Sequence, residues 1–490
     1  MNLADIFLRT IVQYSKKTAL IENETIITYG DLRRRIDSLS MVYRAIGIRE
    51  NHRIALILPN GADFICSFFA LLKLKAIISP LSPECTPYEL KGIFNNLNPH
   101  AIITQHTVAE KMGGAYPELL NKRRMMITPD VIAAYRERLG EGGDSGVQNA
   151  EVSGCGEPKQ NDSVATINYT YRGLGFPLGA QLSHNNYFQA ILFYITRTEL
   201  DEQQRVLLVL PSYHVFALMG GILAPLFAGA TVVIAKSLII SHIVSVIKHS
   251  QITMLLAVPT LYRLLLDYCR DPSDLRSVRF CITGGDIMSA EMHEEFFSTF
   301  NVPVLQGYGL TECLPVTCNP SLNNRVGSLG LPGRADVRIR IVNESGSDME
   351  PGKTGEIIVQ SPTVMLGYYR QDDATREVLK GNWLYTGDYG FLDAAGYLHF
   401  AGRKKNVVKV GGKLVDPLEV KAVLLSYPGI EEVSLSAVED RLWGNIIAAE
   451  ILMRLKMQPS TREIQLFCSR KLSSYKVPKL ITCLERVEVC

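Results

Sequence analysis

Short apolar runs rich in β-branched residues recur along the N-terminal part of this chain, and amphipathic segments follow most of them. The runs read RIALILPN, AIISPL, AIITQ, SVATINYT, RVLLVLP, ATVVIA and RFCITGG. Strands that are buried on both faces of a parallel sheet have such continuous apolar sequences, and helices between them supply the crossover connections. The alternation therefore predicts an α/β protein with largely parallel sheets.

The pattern of apolar and turn-forming residues changes towards the C-terminus. After about residue 335 it consists of shorter strand and turn patterns such as VRIRIVNESG, TGEIIVQSP and GYLHFAG, which predict a β-rich subdomain. The final stretch predicts a small α+β module. We expect a large N-terminal domain at 1–403, made of two α/β subdomains and the β-rich subdomain, and a small C-terminal domain at 404–490. The Gly-rich, polar segment 140–162 predicts a mobile surface loop.

Composition excludes several classes of protein. The 51 Lys and Arg residues nearly balance 49 Asp and Glu, so the net charge of +2 gives no reason to expect a nucleic-acid partner. Ten scattered cysteines, without CxxC pairs or Cys/His clusters, indicate reduced thiols in the cytoplasm rather than a disulfide framework or zinc site.

Targeting and membrane signals are weak. The N-terminal MNLADIFLRT does not resemble a signal peptide. The stretch Val215–Ala235 is uncharged and long enough to span a bilayer, but Pro225 and the Ala228–Ala230 break divide it. We expect a buried helix followed by a buried strand there, with at most peripheral membrane contact.

Five motifs follow one another in a specific order. They are TINYTYRGLGFPLGAQLSHNNY, LPSYHVFALMGG, CITGGD, QGYGLTE, and YTGDYGFLDAAGYLHFAGRKKNVVKVGGKLVDPLEV. This set resembles the acyl-adenylate-forming (AMP-binding) superfamily, most of all the acyl-CoA synthetases and fatty-acid–CoA ligases. The resemblance extends from TYGDL (Thr28–Leu32) almost to the C-terminus. It implies a large N-terminal domain with a small, mobile C-terminal domain, and an enzyme that uses ATP, Mg²⁺ and either CoA or a carrier-protein phosphopantetheine.

The resemblance also implies roles for individual residues. Glu312 would ligate Mg²⁺ beside Thr311, whose hydroxyl can reach the α-phosphate of ATP. The ring of Tyr308 would stack on adenine, Asp388 would bind the ribose hydroxyls, and Arg403 would pair with ribose or phosphate. The remaining cofactor-binding positions are Thr170, Gly173, Gly175, Gly284, Gly285, Gly307 and Gly309.

Each motif residue also has an ordinary structural explanation. Glu312 could be a charge at a helix N-terminus, and Asp388 could hold a turn. Arg403 could belong to a solvated basic patch. His214 is either a gate on the substrate channel or a semi-buried residue without a role in catalysis.

In the same superfamily the C-terminal domain swivels between an adenylating and a thiol-acylating orientation. Lys405 falls at the hinge. Gly411 and Gly412 fall on a short hairpin loop that enters the active site for the second half-reaction and lines the pantetheine channel. The alternative for this glycine pair is a turn without any further role.

Two departures from the superfamily pattern stand out. Leu178 occupies the position of the usual lysine in the phosphate loop, although Thr170, Gly173, Gly175 and Pro177 are kept. We expect a helix directly after this loop. Arg172 either supplies the missing positive charge or is a surface residue of a loop that no longer binds an anion. Relatives also continue with a lysine-bearing segment beyond the position of Cys490, so we expect adenylation to be affected more than thiol transfer.

Two hypotheses follow from these motifs. The favoured one is an acid–thiol ligase in which Arg172, another lysine of the C-terminal domain or a second chain compensates for the departures. The other is an adenylation-deficient homologue that binds acyl-adenylate, acyl-CoA or a partner protein. By the resemblance, the stretches PSYHVFALMGG and CITGGDIMS would line the acyl pocket, and they offer no buried charge for an amino group. The substrate is therefore expected to be a fatty or aryl acid.

Overall fold

The computed structural model describes six segments of the chain, residues 2–115, 125–140, 163–269, 271–403, 407–453 and 459–484. Within them, two large sheets and a smaller antiparallel sheet are followed by a C-terminal unit. The predicted α/β class is confirmed, and so is the predominance of strands after about residue 335. The predicted mobile loop 140–162 lies outside the described residues, except for Gly140 at the end of a helix.

The first large sheet has seven described strands in the order β6–β5–β3–β4–β7–β8–β18. The pairs from β6 to β7 are parallel, whereas β7–β8 and β8–β18 are antiparallel. Its strands are β3 (Arg53–Ile57), β4 (Ile77–Pro80), β5 (Ala101–Thr104), β6 (Met125–Ile127), β7 (Val164–Thr170), β8 (Leu178–Ser183) and β18 (Gly367–Tyr368).

The second large sheet has nine strands within the described part of the chain, in the order β15–β14–β13–β12–β11–β9–β10–β1–β2. Its centre, from β13 to β1, is parallel, and its edges are antiparallel. Its strands are β1 (Thr18–Glu22), β2 (Thr25–Thr28), β9 (Arg205–Leu208), β10 (Thr231–Ile234), β11 (Met254–Ala257), β12 (Phe280–Thr283), β13 (Val304–Leu310), β14 (Cys313–Cys318) and β15 (Leu331–Pro332).

A smaller antiparallel sheet follows, with β20 paired to β17, β19 and β21. Its strands are β16 (Arg338–Val342), β17 (Gly355–Gln360), β19 (Leu379–Lys380), β20 (Trp383–Leu392) and β21 (Leu398–Arg403). The C-terminal unit contains the hairpin β22 (Val408–Val410) and β23 (Lys413–Val415), and the sheet of β24 (Ile430–Asp440), β25 (Gly444–Met453) and β26 (Leu480–Leu484). Its buried side chains form a cluster of their own between Val410 and Val477.

Helices cover the sheets and share one large core with them. Side chains from both large sheets pack with α1, α2, α3 and α7 in a single buried cluster. The helices are α1 (Leu3–Gln13), α2 (Tyr29–Ile46), α3 (Ala62–Lys73), α4 (Pro87–Leu97), α5 (His106–Ala115), α6 (Pro129–Gly140), α7 (His184–Arg197), α8 (Ala224–Phe227), α9 (Ile240–His249), α10 (Pro259–Tyr268), α11 (Ala290–Phe300), α12 (Asp372–Val378), α13 (Pro417–Leu425) and α14 (Thr461–Ser469).

The uncharged stretch Val215–Ala235 folds as expected, into a buried helical part followed by a strand. A π-helix spans Ala217–Leu223 and continues into α8, and β10 follows. A side chain at Gly220 would place its Cβ 2.4 Å from Leu256 Cδ1, so this turn packs against β11 only because it is glycine. Among the described residues no helix has the length and apolar character needed to cross a bilayer.

One local expectation was wrong. The phosphate loop does not lead into a helix, because residues Leu178–Ser183 form β8 and pair antiparallel with β7. The loop is therefore the connection of a hairpin. Helix α7 begins only at His184, where Ser183 and Asn186 form a capping box. Leu178 is the first residue of β8 and is 1% exposed, so its side chain packs in the core, where it also forms part of the wall of the large cavity.

Candidate active site

A cavity of about 340 Å³ opens where the hairpin β13–β14, the end of β7 and the strands β20 and β21 meet the C-terminal hairpin β22–β23. Most of the residues selected from the sequence line it. These residues are Thr170, Arg172, His214, Gly284, Gly285, Gly307, Tyr308, Gly309, Thr311, Glu312, Asp388, Arg403 and Gly412.

Glu312 and Thr311 form the tip of the hairpin β13–β14, between the paired residues Leu310 and Cys313. The helix N-terminus considered for Glu312 is therefore wrong. Glu312 is 2% exposed, and its Oε1 accepts a 2.6 Å hydrogen bond from the Tyr368 hydroxyl. The hairpin and the Tyr368 hydrogen bond therefore fix this buried carboxylate in place.

The second oxygen of Glu312, Oε2, has no hydrogen-bond partner among the described residues. It is also not among the unpartnered polar atoms of those residues that are fully buried, so it reaches the cavity. Mg²⁺ commonly takes one or two protein carboxylates and completes its shell with substrate phosphates and water. No cluster of three or more His, Cys, Asp or Glu side chains that could hold a metal occurs within the described segments. The free Oε2 fits a magnesium ion whose other ligands come from a nucleotide and from water.

Arg172 is not a surface residue. Its side chain is 16% exposed, and its Nη1 lies 3.2 Å from Glu312 Oε1. Nη2 donates to the carbonyl oxygens of Tyr385 and Thr386 at 3.2 and 2.9 Å. Gly387 has φ of +74°, and a Cβ there would lie 3.1 Å from Nη2. The loop therefore places a guanidinium beside the candidate metal-ligating carboxylate, from a backbone position other than that of Leu178.

Asp388 lies in the middle of β20 and is 3% exposed. Its Oδ2 accepts a 2.8 Å hydrogen bond from the Tyr308 hydroxyl, and its Oδ1 lies 3.0 Å from Arg403 Nε. Asp388 does not simply hold a turn, and Arg403 does not belong to a solvated patch. Because each carboxylate oxygen can accept more than one hydrogen bond, Asp388 keeps acceptor capacity for a sugar hydroxyl.

His214 and Lys409 both line the cavity. Burial, then the cations of Lys413 and Lys409, lower the pKa of His214 to about 4, so its ring is neutral near neutral pH. Burial, and then the Arg403 guanidinium, lower the pKa of Lys409 to about 8. A partly deprotonated lysine from the C-terminal hairpin is therefore part of the site, although sequence analysis did not select it.

The glycine hairpin has the predicted form. Gly411 and Gly412 have φ of +55° and +79° and connect β22 to β23. A Cβ on Gly412 would lie 2.7 Å from Val258 Cγ1, so close packing on the N-terminal domain requires glycine. Gly412 lines the cavity, whereas Gly411 packs against Trp443 of its own unit.

The glycines of the phosphate loop do not line the cavity. Gly173 and Gly175 both have positive φ, at +69° and +79°. The Gly175 amide donates a 2.8 Å hydrogen bond to Asp416 Oδ2 of the C-terminal unit. The Asp416 carboxylate thus accepts the hydrogen bond of a loop amide that, by the resemblance, would face a phosphate.

A buried cluster of ions, centred on Lys476, joins the C-terminal unit to this loop and to α4. The Lys476 ammonium lies 2.5 Å from Glu89 Oε1 and 2.9 Å from Glu419 Oε2. It also donates to the Tyr171 hydroxyl at 3.1 Å, and Tyr171 donates to Glu419 Oε1 at 2.8 Å. Glu89 further accepts a 2.7 Å hydrogen bond from the Ser473 hydroxyl.

The cluster contains two carboxylates and one ammonium. Burial opposes the charge on both Glu89 and Glu419. At Glu89 the Lys476 cation, together with hydrogen bonds from Lys476, Thr86 and Ser473, outweighs burial, and the pKa is lowered. The pKa of Glu419 is raised because burial prevails there. Glu89 is therefore the stronger acid of the two, and it comes from the N-terminal side of the interface.

Known proteins resemble this chain in sequence and in fold. The sequence profile described as "AMP-binding enzyme" matches residues 7–369. The chain belongs to the AMP-binding enzyme family. It is similar to a feruloyl-CoA synthase from Amycolatopsis sp, at 29% identity over 96% of this chain and 92% of the relative.

Two further similarities cover nearly all of this AMP-binding enzyme. A long-chain-fatty-acid–CoA ligase from Escherichia coli O157:H7 is 29% identical over 98% of the chain and 90% of the relative. The solved structure of a double mutant of o-succinylbenzoate CoA synthetase from Bacillus subtilis, bound with a product analogue, superimposes with a TM-score of 0.85. That pair is 26% identical, and the match covers 98% of this chain and 95% of the other.

The sequence missed several residues of the site. Tyr368, Lys409 and the cluster around Lys476 were not selected. Lys409 could have been found, because it precedes the hairpin glycines by two and three positions in VVKVGG. Tyr368 and Lys476 carry no such local signal. The predicted hinge, Lys405, lies outside the described residues, so its role stays a prediction.

Proposed function

We propose that this AMP-binding enzyme is an ATP-dependent acid–thiol ligase. It activates a fatty or aryl carboxylic acid as an acyl adenylate and transfers the acyl group to CoA or to a carrier-protein phosphopantetheine. The observation that carries the proposal is one cavity that joins three groups. These are the Glu312–Arg172 pair, the Asp388–Tyr308–Arg403 set, and the C-terminal hairpin with Lys409.

The proposed first step is attack of a substrate carboxylate oxygen on the α-phosphorus of ATP, with pyrophosphate as the leaving group. Arg172 would meet the phosphate charge that develops, and Thr311 would donate to the α-phosphate. Tyr308 and Asp388 would hold adenine and ribose, with Arg403 as the cation beside them. Glu312 would hold a magnesium ion, which when bound supplies further positive charge to the phosphate oxygens.

The proposed second step is attack of a thiol sulfur on the acyl carbon, with AMP as the leaving group. The hairpin β22–β23 lies against the cavity in the present arrangement, so we assign this arrangement to thiol transfer. The high similarity to a CoA synthetase bound with its product analogue supports that assignment. Asp416 accepts the hydrogen bond of the Gly175 amide, so a polyphosphate could bind at this loop only after Asp416 has moved away.

Further assignments belong to the same proposal. Residues 1–403 and 404–490 would act as separate rigid bodies about Lys405. Thr170, Gly173 and Gly175 would bind the β- and γ-phosphates once Asp416 has moved, and Gly284 and Gly285 would line the substrate channel that the neutral ring of His214 gates. The scattered cysteines support a cytoplasmic setting.

The test is to incubate the purified protein with ATP, Mg²⁺ and a panel of fatty and aryl acids and to follow pyrophosphate release. CoA is then added, and acyl-CoA is measured by mass spectrometry. We expect acid-dependent pyrophosphate release and a thioester product. AMP binding without pyrophosphate release from any acid would contradict the ligase and favour an adenylation-deficient binding protein. Asp388→Asn is the matched variant, because it keeps the shape and removes the charge beside Arg403.

A further inference from the structure

One polar atom in the apolar part of the cavity has no partner. The walls there include Phe193, Phe216, Met219 and Leu314, together with Tyr194 of α7. The Tyr194 hydroxyl makes no hydrogen bond with any described residue, although the side chain is only 7% exposed. Buried tyrosine hydroxyls normally find a partner, because an unmade hydrogen bond in an apolar environment is costly.

The fully buried tyrosines of the described segments follow that rule. Five of them are less than 2% exposed, and each hydroxyl has a hydrogen-bond partner within the protein. They are Tyr29 with Leu226 and Ala230, Tyr43 with Ser67, Tyr187 with Thr166, Tyr262 with Ile282, and Tyr368 with Glu312. Tyr194 therefore differs from the tyrosines that serve the core.

The unpartnered hydroxyl reaches open space. Some unpartnered polar atoms of the described residues, such as Gln189 Oε1 on the same helix, are sealed from solvent, but the Tyr194 hydroxyl is not among them. Its pKa is raised by burial and then by the thiol of Cys318, which also lines the cavity. Because Tyr194 and Cys318 both line the cavity, a molecule inside it can reach the hydroxyl.

The surroundings of Tyr194 suit a flat aromatic group. Its ring packs edge-on against Phe193, with centroids 6.1 Å apart and planes at 72°. A Cβ on Gly220 would lie 3.0 Å from Tyr194 Cε1, and one on Gly284 would lie 3.0 Å from Phe216 Cζ. Aromatic rings and side-chain-free glycines provide flat surfaces, against which an aryl ring can stack or meet an edge.

We propose that Tyr194 determines substrate specificity by donating a hydrogen bond to an oxygen substituent on the ring of an aryl acid. The preferred substrate class is thus an aromatic carboxylic acid with a hydroxyl or methoxy group remote from the reacting carboxylate. This inference rests on the proposed ligase function, since it concerns the acid that is activated. The hydrogen bond would satisfy the open donor of Tyr194.

The experiment compares cinnamic acid with its ring-hydroxylated and ring-methoxylated derivatives as substrates of the full chain. The kcat/KM for acid-dependent pyrophosphate release is measured for the wild-type protein and Tyr194→Phe. A neutral hydrogen bond contributes about a tenfold preference. We expect the wild type to prefer the better of the oxygenated acids about tenfold over cinnamic acid. In Tyr194→Phe that preference falls to near one.

Tyr187→Phe is the matched control, because it removes a buried hydroxyl from the same helix that bonds Thr166 instead of facing the cavity. It should leave the substrate ratio unchanged. Equal ratios in the wild type and Tyr194→Phe would overturn the inference while the ligase function stands. If no acid of this set, and no fatty acid, supports pyrophosphate release by the wild type, the proposed function itself fails.

Discussion

Replacing Glu89 by glutamine tests whether the buried cluster around Lys476 holds the C-terminal unit over the active site. Glu89 lies on α4, and its carboxylate accepts from the Lys476 ammonium at 2.5 Å and from the Ser473 hydroxyl at 2.7 Å. Glutamine keeps the shape and one acceptor oxygen, and it can also serve the capping box with Thr86. The substitution therefore removes mainly the negative charge that crosses the interface.

The magnitude follows from the contacts that remain. A hydrogen bond to a charged group contributes about 1.5–3 kcal/mol, and breaking a buried ion pair costs about 3–5 kcal/mol. Because Lys476 keeps Glu419 as a partner, we expect a loss near the lower range, about 2 kcal/mol. This lowers the equilibrium constant for docking about 30-fold.

Two measurements on Glu89→Gln separate docking from chemistry. Single-turnover conversion of preformed acyl adenylate and CoA to thioester should slow by up to about 30-fold, while pyrophosphate release during adenylation should not slow. Hydrogen exchange of residues 408–415 should accelerate, because the hairpin leaves the cavity more often.

An exposed ion pair across the same interface supplies the control. Lys413 lies 3.0 Å from Glu84, whose side chain is 61% exposed. Glu84→Gln should change either half-reaction only a few-fold, since exposed pairs contribute less than about 1 kcal/mol. Equal slowing of both half-reactions by Glu89→Gln, or unchanged thioester formation with unchanged hydrogen exchange, would refute the role given to the cluster.

Three further predictions concern the cavity. Arg172→Gln leaves Glu312 without its cation, so kcat/KM for ATP should fall about 100-fold in initial-rate assays, and unchanged kinetics would contradict a catalytic role. The docked hairpin holds the pKa of Lys409 at about 8, below that of a free lysine near 10.4, so protonation opposes docking. Docking and thioester formation should therefore strengthen as pH rises from about 8 towards 10, and Lys409→Met should abolish that dependence. Leu178→Lys would bury a charge in β8 and should lower the melting temperature without improving the KM for ATP, whereas a lower KM would contradict the core position of this residue.

The sequence by itself determined the main architecture and most of the residues that line the cavity. Continuous apolar runs indicate strands buried on both faces whatever their neighbours are, which is why β3, β9 and β12 were predicted correctly. The motif residues Glu312, Tyr308 and Asp388 do line one cavity. The strand β8 was missed because its glycine and polar residues, in LGAQLS, break the apolar pattern.

Only the tertiary structure decided which partners these residues have. Lys476 meets Glu89 from 387 positions away, and Arg172 meets Glu312 from 140 positions away. Local periodicity depends on the nearest few residues, so it carries no information about pairs that only chain folding brings together. The same limit applies to Tyr194, whose spacing on α7 resembles that of a core residue. Its importance arises because no other part of the described chain supplies a partner for its hydroxyl.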